Sequence, residues 1–310
     1  MSELQLVCSD FDAALDLLRG AGLSLDLIYP ADDPHSAVLT HNGARIRLTS
    51  RPDVGEPSAE LPPFKPEFVL TRGGASGTGR AGMRYRDLIP TRLGGRYIAS
   101  HITMPEGGPV ADWVHFHRIT VQALMVARGW VRVVYEDQGD PFVLNAGDLV
   151  LQPPGIRHQV LESSPGSEVI EIAAPALHAT FADHEMALPN GTLAADRDFS
   201  GQHFLRHVAA QASWTPFHGG EVQETAMRAA TRGIADFRTL RKEGPSIDVP
   251  PHAGELVFGF VLRGNAELGF DEGHKLVRED SFVIPPGKTW SLRNMSDDFR
   301  LLHVTTERLG

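Results

Sequence analysis

The stretch from Gly108 to His158 constrains the fold of this chain more than any other part of it. Two histidines in this stretch, His115 and His117, stand two residues apart. Side chains alternate between the two faces of a β-strand, so both imidazoles would leave the same face of one strand. A single strand can therefore present two imidazoles to one metal ion, which predicts a β-rich fold with an internal site.

Two more positions complete the predicted site. Gln122 opens the next strand, and His158 follows Pro154-Gly155, a dipeptide that suits a type II turn with glycine at positive φ. Such a turn would direct the following strand back into the same β-barrel, so that His158 could approach His115 and His117. Three imidazoles and one amide oxygen suit Fe(II), Zn, Ni, Mn or Cu, whereas Ca²⁺ prefers oxygen ligands alone. The sequence thus predicts one divalent transition metal per chain, held by the three histidines and Gln122.

Two other interpretations of these residues stay open. The histidines could be polar core residues, although three of them in register favour a metal site. Gln122 could stand off the ion and hydrogen-bond a water molecule or the substrate instead.

The spacing of further residues matches two motifs. The first motif contains Gly108, the HFH triplet 115–117, Gln122 and Gly129, and the second contains Gly147, Pro153, Gly155 and His158. Both resemble the paired signature motifs of the cupin superfamily, which implies jelly-roll β-barrels and a bound metal. Most cupins carry Glu at the position of Gln122. A neutral amide there leaves the divalent charge uncompensated, so we expect the site to favour an anionic partner.

The chain contains a second, altered copy of this pattern. His252 lies 135 residues after His117, and Pro285-Pro286-Gly287 lies 132 residues after Pro153-Pro154-Gly155. The chain therefore resembles a bicupin, with two barrels from one duplication. In the second copy Pro250, Val257 and Trp290 stand at the positions of His115, Gln122 and His158. A single remaining histidine cannot hold a divalent ion tightly, so we expect the second barrel to be structural or to form an apolar pocket lined by Trp290.

The amino-terminal residues predict a small α+β module. Strand 3–7 precedes a helix capped by Ser9 or Asp10 and ended by Gly20, and three strands follow, with Asn42-Gly43 as a hairpin turn. This βαβββ unit resembles one module of the glyoxalase-type, vicinal-oxygen-chelate fold, without that family's metal ligands. A four-stranded sheet leaves an open edge that a second subunit or the chain's own barrels must cover. We expect a homodimer in preference to packing within the chain.

The predicted fold is mainly β, with two tandem jelly-roll barrels after the α+β module. The predicted boundaries are the module at 1–51, a Pro/Gly-rich linker at 52–84, the metal-binding barrel at 85–178, a connector at 179–215 and the degenerate barrel at 216–310.

Composition limits the possible partners and location. A formal net charge of −10 disfavours nucleic acid and acidic membranes as partners. The single cysteine, Cys8, excludes an intrachain disulfide, and no apolar run reaches the roughly 20 residues of a membrane span. The amino terminus lacks a signal-peptide profile, so we expect a cytoplasmic protein.

Three functions are consistent with these features. The first is a dioxygenase with Fe(II) as the favoured metal, acting on a small anionic or enolisable chelating substrate, as the resemblance to cupin dioxygenases implies. The second is a redox-neutral isomerase, lyase or hydrolase, and the third is a binding protein without turnover. Candidate acid–base residues are Tyr135, Arg157, Glu162 and Glu171, and the sequence leaves open which of them face inward.

Overall fold

A computed structural model describes residues 3–58 and 60–310, without the side chain of residue 80. Within the described residues, the first element of the amino-terminal module begins at residue 3, and the module has the predicted βαβββ order. Its elements are β1 (Glu3–Val7), α1 (Phe11–Gly20), β2 (Ser24–Tyr29), β3 (Ser36–His41) and β4 (Ala44–Thr49). The carboxylate of Asp10 caps α1 by accepting a hydrogen bond from the backbone N–H of Ala13 at 3.0 Å.

The rest of the described chain consists mainly of short strands. Three strands and a 3₁₀ turn (Arg80–Gly82) precede residue 88: β5 (Val69–Thr71), β6 (Gly77–Thr78) and β7 (Arg84–Asp87). The next strands are β8 (Ile98–Met104), β9 (Gly108–Pro109), β10 (His115–His117), β11 (Val121–Arg128), β12 (Trp130–Tyr135), β13 (Phe142–Asn145), β14 (Leu149–Leu151), β15 (His158–Ser163), β16 (Ser167–Ala174), β17 (Thr180–Ala182) and β18 (Leu205–His207).

The last third of the chain repeats this organisation after a 3₁₀ turn at Ala209–Gln211. Its elements are β19 (Thr215–Phe217), β20 (Gly220–Glu224), α2 (Met227–Ala230), β21 (Ala235–Lys242), β22 (Ser246–Val249), β23 (Leu256–Arg263), β24 (Asn265–Phe270), β25 (Glu272–Val277), β26 (Ser281–Val283), β27 (Trp290–Arg293) and β28 (Arg300–Thr306).

These strands form two jelly-roll barrels, as predicted. In the first barrel, the sheet β17-β10-β15-β12-β13 faces the sheet β18-β14-β11-β16-β8-β7-β6. In the second barrel, β22-β27-β24-β25 faces β19-β20-β21-β28-β23-β26-β5. When the second seven-stranded sheet is read from β5 to β19, β26, β23 and β28 take the places of β14, β11 and β16. Corresponding residues of the two barrels therefore lie in equivalent positions.

Both barrels take strands from segments that the sequence assigned to connections, and β6 and β17 of the first barrel are among these strands. Strand β5 lies within the predicted linker 52–84, yet it pairs with β26 of the second barrel through Val69 and Val283. Strand β18 lies within the predicted connector 179–215 and pairs with β14 of the first barrel. The first segment is rich in Pro and Gly, but it contains a short apolar run, Phe68-Val69-Leu70, which suits an edge strand. Both segments therefore fasten the barrels together.

A shared apolar core joins the two barrels. Side chains on the outer faces of the two seven-stranded sheets form one buried cluster that includes Met125, Ile170, Phe237, Phe258 and Leu302. Burial of this extended surface favours a fixed arrangement of the barrels.

The amino-terminal module is attached to the first barrel. Strand β2 pairs antiparallel with β17, with Ile28 opposite Thr180, so the module sheet continues into the barrel sheet. Trp113 of the barrel also packs against the module core. The β2 edge of the module is thus covered by the chain's own barrel. Such packing within the chain was the alternative to the expected homodimer. At the opposite edge Leu4 and Val7 of β1 are 57% and 62% exposed, and pairing of two modules in a homodimer stays a prediction.

No helix in the described ranges is long and apolar enough to cross a membrane.

An ionic cluster around the buried carboxylate of Glu168 on β16 links the barrels. Its carboxylate accepts hydrogen bonds from Arg278 of the second barrel at 2.5 Å and from His101 at 3.3 Å. Burial acts to raise the pKa of Glu168, but these hydrogen bonds outweigh it and lower the pKa from 4.5 to about 2. The carboxylate of Glu168 therefore contributes stability that is present above pH 4.5 and is lost as the pH falls towards about 2.

We expect Glu168→Gln to lower the Tm at pH 7 by about 2–6 °C, because the buried His101 and the partly exposed Arg278 lose their charged acceptor. The difference from the unmodified protein should narrow as the pH falls below 4.5. Calorimetry across this pH range measures it. Glu162→Gln is the matched control, since this carboxylate is 41% exposed and lies 3.9 Å from Arg132. Equal effects of the two variants, or a difference independent of pH, would contradict the role of Glu168.

Candidate metal centre

Strands β10 and β15 bring the three predicted histidines together. His115 and His117 leave the same face of β10, and the residue that pairs with His115 on the neighbouring strand is His158. His158 follows the turn at Pro154-Gly155, where Gly155 has a φ of 78°, as the type II turn requires. Register and turn together determine the positions of all three rings.

The rings form a compact buried group. Each histidine can bring a ring nitrogen within 4.8 Å of the other two, a separation at which one ion can contact all three. The exposed fractions of His115, His117 and His158 are 1%, 6% and 4%. Burying three polar rings side by side costs free energy, and a shared metal ion would offset that cost.

Backbone carbonyl groups orient the three rings. The Nδ1 atom of His115 lies 2.7 Å from the carbonyl oxygen of Trp113, and that of His158 lies 3.0 Å from the carbonyl oxygen of Ile156. The Nδ1 atom of His117 lies 3.4 Å from the carbonyl oxygen of Ala179. A carbonyl oxygen can only accept, so we assign the proton to Nδ1 in each ring and the lone pair to Nε2. This is the usual arrangement of metal-ligating histidines.

Gln122 lies on β11, in the sheet that faces the histidines. Its side chain is buried, and its Nε2 donates a hydrogen bond to the Oε1 of Glu171 on β16 at 2.5 Å. This bond fixes the amide so that its oxygen is the atom suited to a metal or a substrate. It also places a carboxylate one hydrogen bond beyond Gln122. The expectation of an uncompensated divalent charge is therefore weakened, because Glu171 supplies negative charge beside the neutral amide.

Tyr135 lies against the histidine group. Its ring stacks on that of His158 with 5.6 Å between centroids, and its hydroxyl accepts a hydrogen bond from Gln152 at 2.8 Å. Burial raises the pKa of Tyr135 above its usual range, and the charge of Glu171 acts in the same direction against the effect of Gln152. The hydroxyl thus keeps its proton at neutral pH and can donate it to a bound molecule.

A small apolar cavity adjoins Tyr135. Its volume is about 60 Å³, and its walls are Gln152, Tyr135 and mostly aliphatic side chains from both sheets. A space of this size admits only a few atoms beside the tyrosine.

Two candidate acid–base residues lie away from the histidines. Arg157 precedes the inward-facing His158, and its guanidinium contacts Asp183 at 3.0 Å and covers the ring of Phe116 at 4.3 Å. Glu162 is on the outer surface beside Arg132. A register shift between Val160 and Glu162 turns Glu162 away from the face of His158, so Tyr135 and Glu171 are the acid–base candidates that face inward.

The structure brings in one residue that the sequence did not suggest. His178 is buried, and its ring stands 5.3 Å from that of His117, nearly perpendicular to it. It also lines a cavity of about 410 Å³ between the module and the first barrel. No motif marked His178, since its proximity depends on how the chain returns from β16 to β17.

The donor set fits a divalent transition metal. Three neutral imidazoles and an amide oxygen are borderline ligands of the type that Fe(II), Zn, Ni, Cu and Mn accept. Among the described residues, no second group of three or more His, Cys, Asp or Glu side chains meets the same distance criterion. The fold and this group together define a protein of two jelly-roll barrels with one candidate metal centre, in the first barrel.

Comparisons with known proteins agree on the fold. No protein-family model and no curated protein sequence matches the chain. Among solved structures, Ylba from E. coli is similar with a TM-score of 0.56 and 12% sequence identity, over 80% of this chain and 94% of that one. A structure of oxalate decarboxylase from Bacillus subtilis at pH 4.6 gives a TM-score of 0.53 and 13% identity, over 74% of this chain and 72% of that one. These similarities establish the fold.

We expect one metal ion per chain, bound by the first barrel. His115→Ala, His117→Ala or His158→Ala should each reduce the metal content to below about one tenth, because each removes one of three ligands from a buried site. Elemental analysis of protein purified without a chelating tag measures this. His252→Ala is the matched control and should leave the content unchanged. Two ions per chain, or full retention after His158→Ala, would contradict the site.

Proposed function

We propose that the chain is a metal-dependent enzyme whose active centre is the histidine group of the first barrel, and that its reaction is of the dioxygenase type. The observation that carries this proposal is the buried group of His115, His117 and His158, in which one ring nitrogen of each residue lies within 4.8 Å of the other two. A metal held by neutral donors keeps its Lewis acidity and would supply activation of O₂ and of a chelating substrate. Fe(II) is the metal that we favour.

The surrounding side chains support a small chelating acid as the substrate. Tyr135 holds a proton that it can donate to a substrate oxygen, and its ring bounds one side of the space. Gln122 has its amide fixed by Glu171 and can orient a second substrate oxygen. The cavity beside Tyr135 is small and apolar, which suits an uncharged diatomic molecule better than water.

A second candidate function is a redox-neutral isomerisation, lyase or hydrolase reaction. Glu171 favours it, because an inward-facing carboxylate next to Gln122 could remove a proton from an enolisable acid. Oxalate decarboxylase, one of the structures with the same fold, acts on a small chelating dianion, so oxalate belongs among the compounds to be tested.

Oxygen uptake distinguishes the two functions. Protein loaded with Fe(II) or with Zn(II) is mixed with pentane-2,4-dione, a flavonol, a thiol acid or oxalate, and dissolved O₂ and products are followed. We expect O₂ consumption only with Fe(II) and only with compounds that chelate. Product formation that is equal with Zn(II) and needs no O₂ would favour the redox-neutral reaction. No turnover and no metal-dependent binding of any compound would contradict the proposal.

We expect Glu171→Gln to retain the metal but to reduce turnover by about 10²-fold or more, because it removes the inward-facing negative charge and base, while an amide oxygen can still accept from Gln122. Glu162→Gln is the control, since this carboxylate faces solvent, and its kcat/KM should stay within about twofold. Steady-state kinetics with metal analysis of each variant measures this. Equal activity of both variants would remove Glu171 from the reaction.

A further inference from the structure

The second barrel contains a cavity at the position that the metal centre occupies in the first barrel. Val257 lies opposite Thr305 in the pairing of β23 with β28, as Gln122 lies opposite Ala173 in the first barrel. The cavity has a volume of about 240 Å³, and Val257 and Trp290 are part of its wall. Two of the positions that hold candidate ligands in the first barrel are therefore apolar walls here.

The equivalent of Glu171 in the second barrel is His303. In the first barrel, Leu124 lies two residues after Gln122 and pairs with Glu171. In the second barrel, Gly259 lies two residues after Val257 and pairs with His303. Arg238 on β21 pairs with His303, as Ser100 pairs with Glu171. The second barrel thus carries a histidine and an arginine where the first carries a carboxylate and a serine. This exchange replaces a carboxylate by side chains that can donate hydrogen bonds to a ligand of the cavity.

The geometry of His303 identifies it as a hydrogen-bond donor. Its Nδ1 accepts a hydrogen bond from the Nε of Arg238 at 3.1 Å, so the ring proton is on Nε2. Burial lowers the pKa of His303 well below its usual value, and the nearby Arg238 and His252 act in the same direction, so the ring is neutral. The buried Nε2 has no hydrogen-bond partner among the described residues. An unsatisfied buried donor is costly, and a ligand that accepts from it would remove that cost.

The polar groups of the cavity wall favour an anion. They are Arg238, a threonine hydroxyl and the imidazoles of His218, His252 and His303, and no carboxylate of the described residues lines the cavity. Two carboxylates outside the wall contact Arg238 through its Nη1, which donates a hydrogen bond to Glu224 at 3.5 Å and lies 3.7 Å from Asp236. On another side the ring of Trp290 stands 5.4 Å from that of His303 and offers a flat apolar surface.

We propose that the second barrel is a metal-free binding site for a small carboxylate with a compact apolar body. The carboxylate accepts hydrogen bonds from Arg238 and from the Nε2 of His303, and the apolar part lies between Trp290 and Val257. The volume is below the roughly 300–1,000 Å³ of sites for drug-sized ligands, which restricts the ligand to about the size of a single ring. This site requires no metal and does not depend on the reaction of the first barrel.

Calorimetric titration with benzoate, with benzyl alcohol as the uncharged control, tests the proposal. We expect benzoate alone to bind, and Arg238→Gln to weaken it by about 10- to 100-fold. Arg241→Gln is the matched control, because Arg241 is on the same strand but faces outward to Glu221 and Trp214, and it should change the affinity less than about twofold. His117→Ala, which disables the first barrel, should leave benzoate binding unchanged.

Two further measurements keep the test independent of folding defects in Arg238→Gln. Benzoate should quench the fluorescence of the unmodified protein, and Trp290→Phe should abolish the quenching while calorimetry still detects binding. His303→Phe should weaken binding without removing Arg238. Absence of benzoate binding up to about 10 mM would overturn the proposal. Binding lost in His117→Ala but retained in Arg238→Gln would overturn it too, since the ligand would then occupy the first barrel.

Discussion

The pairing of His115 with His158 across β10 and β15 is the contact on which the candidate centre depends. Strand β10 is only three residues long, so it has few hydrogen bonds of its own to hold its position. Its other edge is covered by β17, whose Phe181 stacks on Phe116 at 5.1 Å. Strand β17 is paired in turn with β2 of the amino-terminal module. The module therefore supports the strand that carries two of the three histidines.

The same fold carries two opposite chemical environments. In the first barrel, buried imidazoles and the Gln122–Glu171 pair form an environment for a cation. In the second barrel, Val257 and Trp290 stand where the first barrel has candidate metal ligands. Arg238 supplies a positive charge there, and His303 supplies a hydrogen-bond donor. A jelly roll presents the same inward positions in both copies, so a few substitutions on equivalent strands suffice to reverse the preferred ligand charge. The shared core contains the outward-facing residues of these same strands, so it does not depend on the inward residues that differ between the barrels.

The sequence predicts those features that depend on local spacing. Period-two histidines, a Pro-Gly turn and the repeat of 132 to 135 residues were sufficient to predict two barrels and the members of the histidine group. The contact of Gln122 with Glu171 depends on the register of β11 against β16, and that of His178 with His117 depends on the course of the chain after β16. Strand β5 was not predicted because a Pro- and Gly-rich composition resembles a linker whether or not a short strand lies inside it. Strand β18 has only three residues, which are too few for a periodic pattern. Non-local pairing of this kind is not encoded in any one segment.

Metal K-edge X-ray absorption of the Zn(II)-loaded protein tests the central claim most directly. The account predicts one ion per chain with scattering from three imidazole rings at about 2.0–2.1 Å and only light-atom ligands otherwise. A spectrum with fewer than three imidazoles, or with sulfur from Cys8, would contradict a centre built on His115, His117 and His158.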